Sequence, residues 1–511
     1  MLKNTYASIP HLIAVLLVGV FEITFYIRFM SSNVNSKVIN ATKWSAITEI
    51  VAKLVAPITT MVLARLLTPD AFGVLVTATM VISFAEIFTD AGFQKYLIQH
   101  EFDDDESLYH STAVAFWTNL ICSFFLWIII CIFSPQIAYL VGNKGYGLVI
   151  AVSCICIPLE AFSSIQMALF RRKFDFKTLF IARILGISVP LIITIPLAYF
   201  TRSYWSLIIG MIALNVCNAV ILTLKSEWKP KWFYKIKLLK EMISFTIWSM
   251  VEAVSIWLTS YLDVFIVGTI LSTTYMGIYR VSIQTVGALM AIITSATTPV
   301  LFSALSRLQN NEGEFKMMFF KFQKTVALLV IPMGVGIFLY RDFITDVLLG
   351  DKWNEASYFI GWWGLTSALT IVLSHYASEV YRAKGLPKLS VLSQFLHLCF
   401  LIPTVLISVK YGFDTLCLNR SLVRLTLIFI NMILLFRLVK IGPIEMLNNI
   451  WHTLFSCLIM CGVCVLLPKD SSLLFQILSI ILCSLAYLIG ICLFKEERGI
   501  IINYRNILRK K

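Results

Sequence analysis

Charge is what this sequence has least of. Only 14% of its 511 residues are Asp, Glu, Lys or Arg, against about 25% in an ordinary soluble domain. With 59% hydrophobic residues and a mean hydropathy of +0.85, a soluble globular protein is excluded. Long polar connections are also missing. Loops reach about fifteen residues, too few for the acid, base or metal ligands of a membrane-embedded polymerase, ligase or glycosyltransferase. There are six histidines, and no His, Cys or carboxylate spacing matches a metal site. The twelve cysteines mostly sit inside apolar runs, where a thiol packs as a small hydrophobe. Cys461 and Cys464 form a Cys-x-x-Cys without His or acidic neighbours, so neither redox chemistry nor a cofactor is expected. The net charge of +14 does not point to nucleic acid, because the basic residues punctuate apolar runs and form no polar face.

What is present is a series of runs long enough to cross a bilayer. Spans are expected near 44–66, 73–98, 110–133, 146–169, 177–200, 203–224, 241–270, 275–302, 318–340, 356–381, 389–409, 413–436, 450–467 and 473–494, about fourteen helices. The connections alternate in charge. One set holds Arg171–Lys173 with Lys177, the lysines from Lys225 to Lys240, Arg307 with Lys316, Lys321 and Lys324, Arg382 with Lys384 and Lys388, and Arg437 with Lys440. The other set offers only Arg65, Lys144, Arg202, Arg341, Lys352, Lys410 and Lys469. The positive-inside rule makes the first set cytoplasmic, so both ends of the fourteen-helix body are expected on the cytoplasmic side. One loop dissents, the acidic EFDDDES at 101–107, but acidic residues weigh little in that rule.

Trp44–Gly73 and Trp248–Gly277 read as one design used twice. At an offset of 204 (248 minus 44), Trp44, Ser45, Leu54, Leu67 and Gly73 meet Trp248, Ser249, Leu258, Leu271 and Gly277. Repeats six helices apart cross in the same sense, so the predicted architecture is all-α, with two six-helix lobes related by a pseudo-twofold along the membrane normal and a terminal helix pair. The expected divisions are an extension at 1–36, a first lobe at 37–227, a linker at 228–240, a second lobe at 241–440, and the last pair with a basic tail at 441–511. The linker WKPKWFYKIKLLK suits a helix in the headgroup layer, or else a solvated basic connection. Residues 1–29 read either as upstream reading frame before a start at Met30 or as a genuine extra helix; mass spectrometry of the amino terminus separates the two.

Three stretches carry a family resemblance: Trp44-Ser45, the turn Ala64–Gly73 (ARLLTPDAFG), and Phe88–Phe93 (FTDAGF). They resemble the opening helices of the polysaccharide transporter family, the Wzx-type lipid-linked oligosaccharide flippases of the multidrug, oligosaccharidyl-lipid and polysaccharide exporter superfamily. Asp263, Gly268, Gly277 and Tyr279 fit the same pattern in the second half. The resemblance implies a V-shaped exporter that moves a polyprenyl-pyrophosphate-linked oligosaccharide to the outer leaflet for O-antigen, capsule or exopolysaccharide assembly, with polysaccharide polymerase machinery as a potential partner. The turn itself reads as a hinge or packing device. Pro69 ends one helix, Asp70 can cap the next, and Gly73 permits close backbone approach.

Ionisable residues inside spans are costly and therefore functional by default. Glu49 and Lys53 share one face of the first helix, Glu86 and Asp90 one face of the second; Glu160, Arg183, Glu252, Asp263, Arg280 and Glu379 follow. Arg420 and Arg424 stand one turn apart with no acid nearby in sequence, a fork suited to a pyrophosphate unless they pair with Glu379 or another carboxylate. Arg424, Arg420, Lys53, Arg183 and Arg280 are the expected anion contacts; Asp263, Glu252, Asp90, Glu49 and Glu379 are the candidates for coupling to a proton or sodium gradient or for gating. A drug exporter of the same superfamily is the main alternative, and it predicts an acid-dominated cavity in place of these guanidiniums.

Overall fold

A computed structural model describes residues 55–494, apart from 91, 174, 387 and 469–471, together with Glu497. Among the described residues fourteen apolar helices follow one another: α1 (Val55–Leu66), α2 (Pro69–Asp90), α3 (Asp105–Ile132), α4 (Gly147–Arg172), α5 (Phe176–Thr201), α6 (Trp205–Lys225), α7 (Ile236–Ile270), α8 (Thr273–Arg307), α9 (Glu312–Leu339), α10 (Ala356–Ala383), α11 (Lys388–Tyr411), α12 (Phe413–Val439), α13 (Pro443–Leu466) and α14 (Leu473–Cys492). All except the described part of α1 are long enough to cross a membrane. Among the described residues there is no strand, as lipid requires of a chain that does not close a barrel.

Several boundaries differ from expectation for local reasons. The second span does not run on to residue 98; α2 stops at Asp90, and Gly92, with φ +86°, turns the chain into a short helix, Phe93–Gln99. The acidic loop has a structural use: Asp104 accepts the Ser107 N–H at 2.7 Å, and Asp105 and Glu106 occupy the first turn of α3, where the helix dipole favours negative charge. Pro69 starts α2 as well as following α1, and Asp70, within that first turn, accepts the Tyr146 hydroxyl at 3.3 Å. The linker is not a helix before Ile236. Residues 227–235 run without regular structure along α3, where the Tyr109 hydroxyl and Trp117 indole each donate, at 3.0 Å, to the carbonyls of Lys229 and Lys231. Trp228 is buried beside Phe116, and Phe233 stacks on His110 at 3.8 Å. Aromatic anchoring therefore holds the strap to the first lobe and leaves its lysines outward.

The halves meet across α2 and α8, at the end carrying Arg65, Lys144, Arg341 and Lys352. A Cβ on Gly73 would lie 1.9 Å from the Thr273 carbonyl oxygen, and one on Gly277 would lie 2.0 Å from that of Pro69. Subtracting the 204 offset turns Thr273 into 69 and Gly277 into 73, so the two contacts are images of each other and the pseudo-twofold passes between the glycines. The flanking loops repeat the pattern. Gly142, at φ +78°, presses on the Gly268 carbonyl, and the Trp353 indole donates to the Ala64 carbonyl at 2.9 Å; 268 minus 204 is 64. Asn143, buried, receives the Thr273 hydroxyl on its oxygen and donates its amide to Thr77. Arg65 donates to the Val347 carbonyl at 2.7 Å. This end of the molecule is sealed by backbone proximity and reciprocal hydrogen bonds.

α13 packs on α14 and on α9, attaching the last pair to the second lobe. Beyond α14, Glu497 is buried at 1% exposure between Lys324 of α9, at 2.9 Å, and Nδ1 of His452 on α13, at 2.6 Å. Burial alone would raise its pKa; the hydrogen bonds from Lys324 and His452 outweigh that and hold it below the usual glutamate value. An acid depressed in the folded state stabilises above its unfolded pKa, and that contribution is lost as pH falls through the folded value. Glu497→Gln is expected to weaken this attachment by about 1–3 kcal/mol. Limited proteolysis should then cut the carboxyl-terminal tail faster at neutral pH, with the parent approaching the variant's rate only under acid.

Candidate functional site

Inside the second lobe, α12 follows Gly412 (φ +99°) and carries Arg420 inward, 8% exposed. Its Nε donates to Asp263 Oδ2 on α7 at 2.8 Å and lies 3.0 Å from the Tyr279 hydroxyl on α8. Tyr279 itself donates to the same carboxylate oxygen at 2.8 Å, while the Val264 N–H donates to Oδ1 at 2.8 Å. One buried carboxylate thus ties three helices together. Its negative charge is matched by Arg420, as burial of either ion demands.

Arg424, one turn further, is different. The regular run of α12 is interrupted at this residue, and its side chain is half-buried. Among the described residues it has no carboxylate within ion-pair distance; its Nη1 donates to Ser367 Oγ on α10. Its guanidinium carbon stands 4.0 Å from the Trp363 ring centre, and that of Arg420 is 4.9 Å from the same ring. The indole face, held against Phe359 at 5.4 Å, supports both cations without neutralising either. The net result, among the described residues, is one neutral pair and beside it a half-buried guanidinium with no carboxylate partner, a feature suited to receiving an anion.

Residues 62–358 match the family described as polysaccharide biosynthesis protein. The chain belongs to that family. It is 23% identical over 378 residues to an uncharacterized membrane protein in the cps region of Klebsiella pneumoniae, covering 73% of this chain and 76% of that one. It is 20% identical to the succinoglycan biosynthesis transport protein ExoT of Rhizobium meliloti (strain 1021), over 66% of this chain and 68% of ExoT. Among solved structures, the lipid II flippase MurJ in an inward closed conformation shares the fold with a TM-score of 0.70 at 15% identity, over 91% of this chain and 99% of MurJ. An inward-facing multidrug resistance MATE family transporter shares it at 0.59 and 12% identity, over 83% and 98%.

In this polysaccharide biosynthesis protein the other expected residues are dispersed. Of the expected fork, Arg420 is paired with Asp263, 157 residues away in sequence, while Arg424 has no carboxylate partner among the described residues. Asp263, expected as a coupling group, is the partner in that pair. Glu379, 2% exposed, pairs with Arg382 three residues on and not with α12. Arg280 lies over the Tyr261 ring at 5.0 Å and donates to the Ser260 carbonyl at 3.4 Å. Arg183 is exposed on α5, which packs against α4 and α6 of the first lobe, so it is not brought to Arg424. Glu49 and Lys53 lie outside the described residues, as do the side chains of Asp90 and Glu252. Trp363 and Ser367 were not singled out from sequence; the Trp362-Trp363 doublet within an apolar run was the one signal available.

Proposed function

We propose that this protein exports a polyprenyl-pyrophosphate-linked oligosaccharide across the bacterial cytoplasmic membrane by alternating access, with Arg424 contacting the pyrophosphate. The observation that carries the reading is Arg424 itself, a guanidinium with a hydroxyl and an indole around it and no acid among the described residues. A pyrophosphate supplies the missing charge in a geometry that suits a planar fork. The positive-inside rule places the lysine-rich loops in the cytoplasm, so the sealed end faces outward and substrate enters from inside. A proton or sodium ion competing with Arg420 for Asp263 would couple the gradient to the swing of α7 and α8. A guanidinium with no carboxylate partner among the described residues disfavours a drug exporter selecting cationic compounds.

Arg424→Gln, expressed in a deletion host, is expected to reduce surface polysaccharide at least about tenfold, the effect of losing one charge-assisted contact of about 1.5–3 kcal/mol. Arg424→Lys should restore only part, since an ammonium keeps the charge but loses the fork. Quantification of surface polysaccharide at matched membrane abundance checks this, and full rescue by Arg424→Gln removes the anion contact.

A further inference from the structure

A second set of side chains lies away from Arg424, where the two halves face each other along α2 and α7. Phe88 and Phe84 of α2 stand 5.2 Å apart, Phe84 and Trp257 of α7 4.8 Å, and Trp257 and Tyr261 5.6 Å with their planes at 27°. The row ends under Arg280 of α8, 5.0 Å above Tyr261. Phe84 and Phe88 remain 41% and 43% exposed. Arg280, two turns into α8, also donates to the Ser260 carbonyl at 3.4 Å; a guanidinium in a spanning helix faces the bundle interior or water, so the Tyr261 end of the row is turned away from hydrocarbon.

The other edge of the row is polar. The Trp257 indole donates to Ser83 Oγ at 3.1 Å, and Ser83 also lines a cavity of about 240 Å³. Its walls include Glu86, Asn119, Glu160 and Ser164, and α7 closes it with Ala253, one turn before Trp257. Asn119 Nδ2 donates to Ser164 Oγ at 3.0 Å. The space is smaller than the roughly 300–1,000 Å³ of drug-sized ligand pockets and suits a single sugar ring. The four rings lie outside the cavity lining, and Ser83 joins the two. The rings match the apolar C–H face of one pyranose, and the carboxylate, amide and hydroxyl groups of the cavity match the hydroxyl rim of its neighbour.

We propose that the row Phe88–Phe84–Trp257–Tyr261 and the adjoining cavity bind the saccharide part of the lipid-linked substrate, with one hexose stacked on the rings beside Ser83 and the hydroxyls of the next sugar bonded to Glu86 and Glu160. This rests on the export reading above and divides the substrate between the halves: pyrophosphate to the second lobe, sugar to the seam beside the first. Because the rings come from both halves, movement of α7 against α2 would open or close the platform.

The test is native mass spectrometry of the full-length protein in nanodiscs, with polyprenyl pyrophosphate and the same lipid carrying one N-acetylhexosamine as probes. The parent is expected to bind the glycosylated lipid about tenfold tighter than the bare one. Trp257→Leu, and Phe88→Leu as a ring more exposed and less able to disturb folding, should each shrink that ratio about three- to tenfold without weakening the bare lipid. Arg424→Gln should weaken both lipids alike. Equal binding of both lipids by the parent overturns the sugar platform, as does an unchanged ratio in both ring variants. Loss of sodium-dependent binding in Glu160→Gln with the ratio intact assigns the cavity to a cation and overturns it too. Failure of the parent to bind either lipid sinks the export reading itself.

Discussion

Gly277→Val and Gly73→Val are each expected to force apart the sealed ends of α2 and α8. The added Cβ meets a backbone carbonyl oxygen at 2.0 or 1.9 Å, and a helix backbone cannot rotate out of the way as a side chain can. Overpacking of this kind costs about 1–3 kcal/mol even where neighbours can adjust, enough to shift a two-state equilibrium about tenfold. The Thr77 hydroxyl contacts Met276 Sδ at 3.4 Å across the same seam. Cysteines at 77 and 276 should therefore crosslink readily in the parent and at least several-fold less in either valine variant, with single-cysteine controls to discount the twelve native thiols. Polysaccharide export should fall in parallel, because a protein that cannot seal one side before opening the other leaks or stalls. Gly73→Ala and Gly277→Ala should give the same result in weaker form. Undiminished crosslinking in the valine variants would show that the glycines are not the closing contact.

The second large effect concerns Asp263. Removing its charge leaves Arg420 buried and unmatched, and breaking such a pair costs about 3–5 kcal/mol. Asp263→Leu is expected to lower the apparent melting temperature by on the order of 10 °C. Replacing both partners by apolar residues, as in Asp263→Leu with Arg420→Met, should recover most of that loss, since neither ion then needs a partner. The double variant also separates structure from coupling. A stable double variant that still exports makes the pair structural glue; a stable one that no longer responds to an imposed proton or sodium gradient makes Asp263 the coupling group. If Asp263→Leu melts with the parent, the pair contributes nothing to holding α7, α8 and α12 together.

Much of this molecule could be read from its residues one after another. Helix number and sense of crossing follow from run length, because a bilayer admits only segments that satisfy their own backbone hydrogen bonds. The duplication was visible in Gly73 and Gly277, and Gly73 was correctly taken for a packing position, since few residues permit helices to touch. Family membership was legible in the same turn, Ala64–Gly73, all of which falls within the matched region.

Tertiary structure decided the rest. Sequence could pair Arg420 with Arg424 by helical periodicity, but not tell that Arg420 alone of the two meets a carboxylate among the described residues, because Asp263 arrives from a helix 157 residues earlier. Nor could it tell that Gly277 faces Pro69, the first repeat's counterpart of Thr273, or that Phe84 continues into Trp257. Periodicity along a helix fixes which residues share a face; which charge that face meets depends on the helix packed against it.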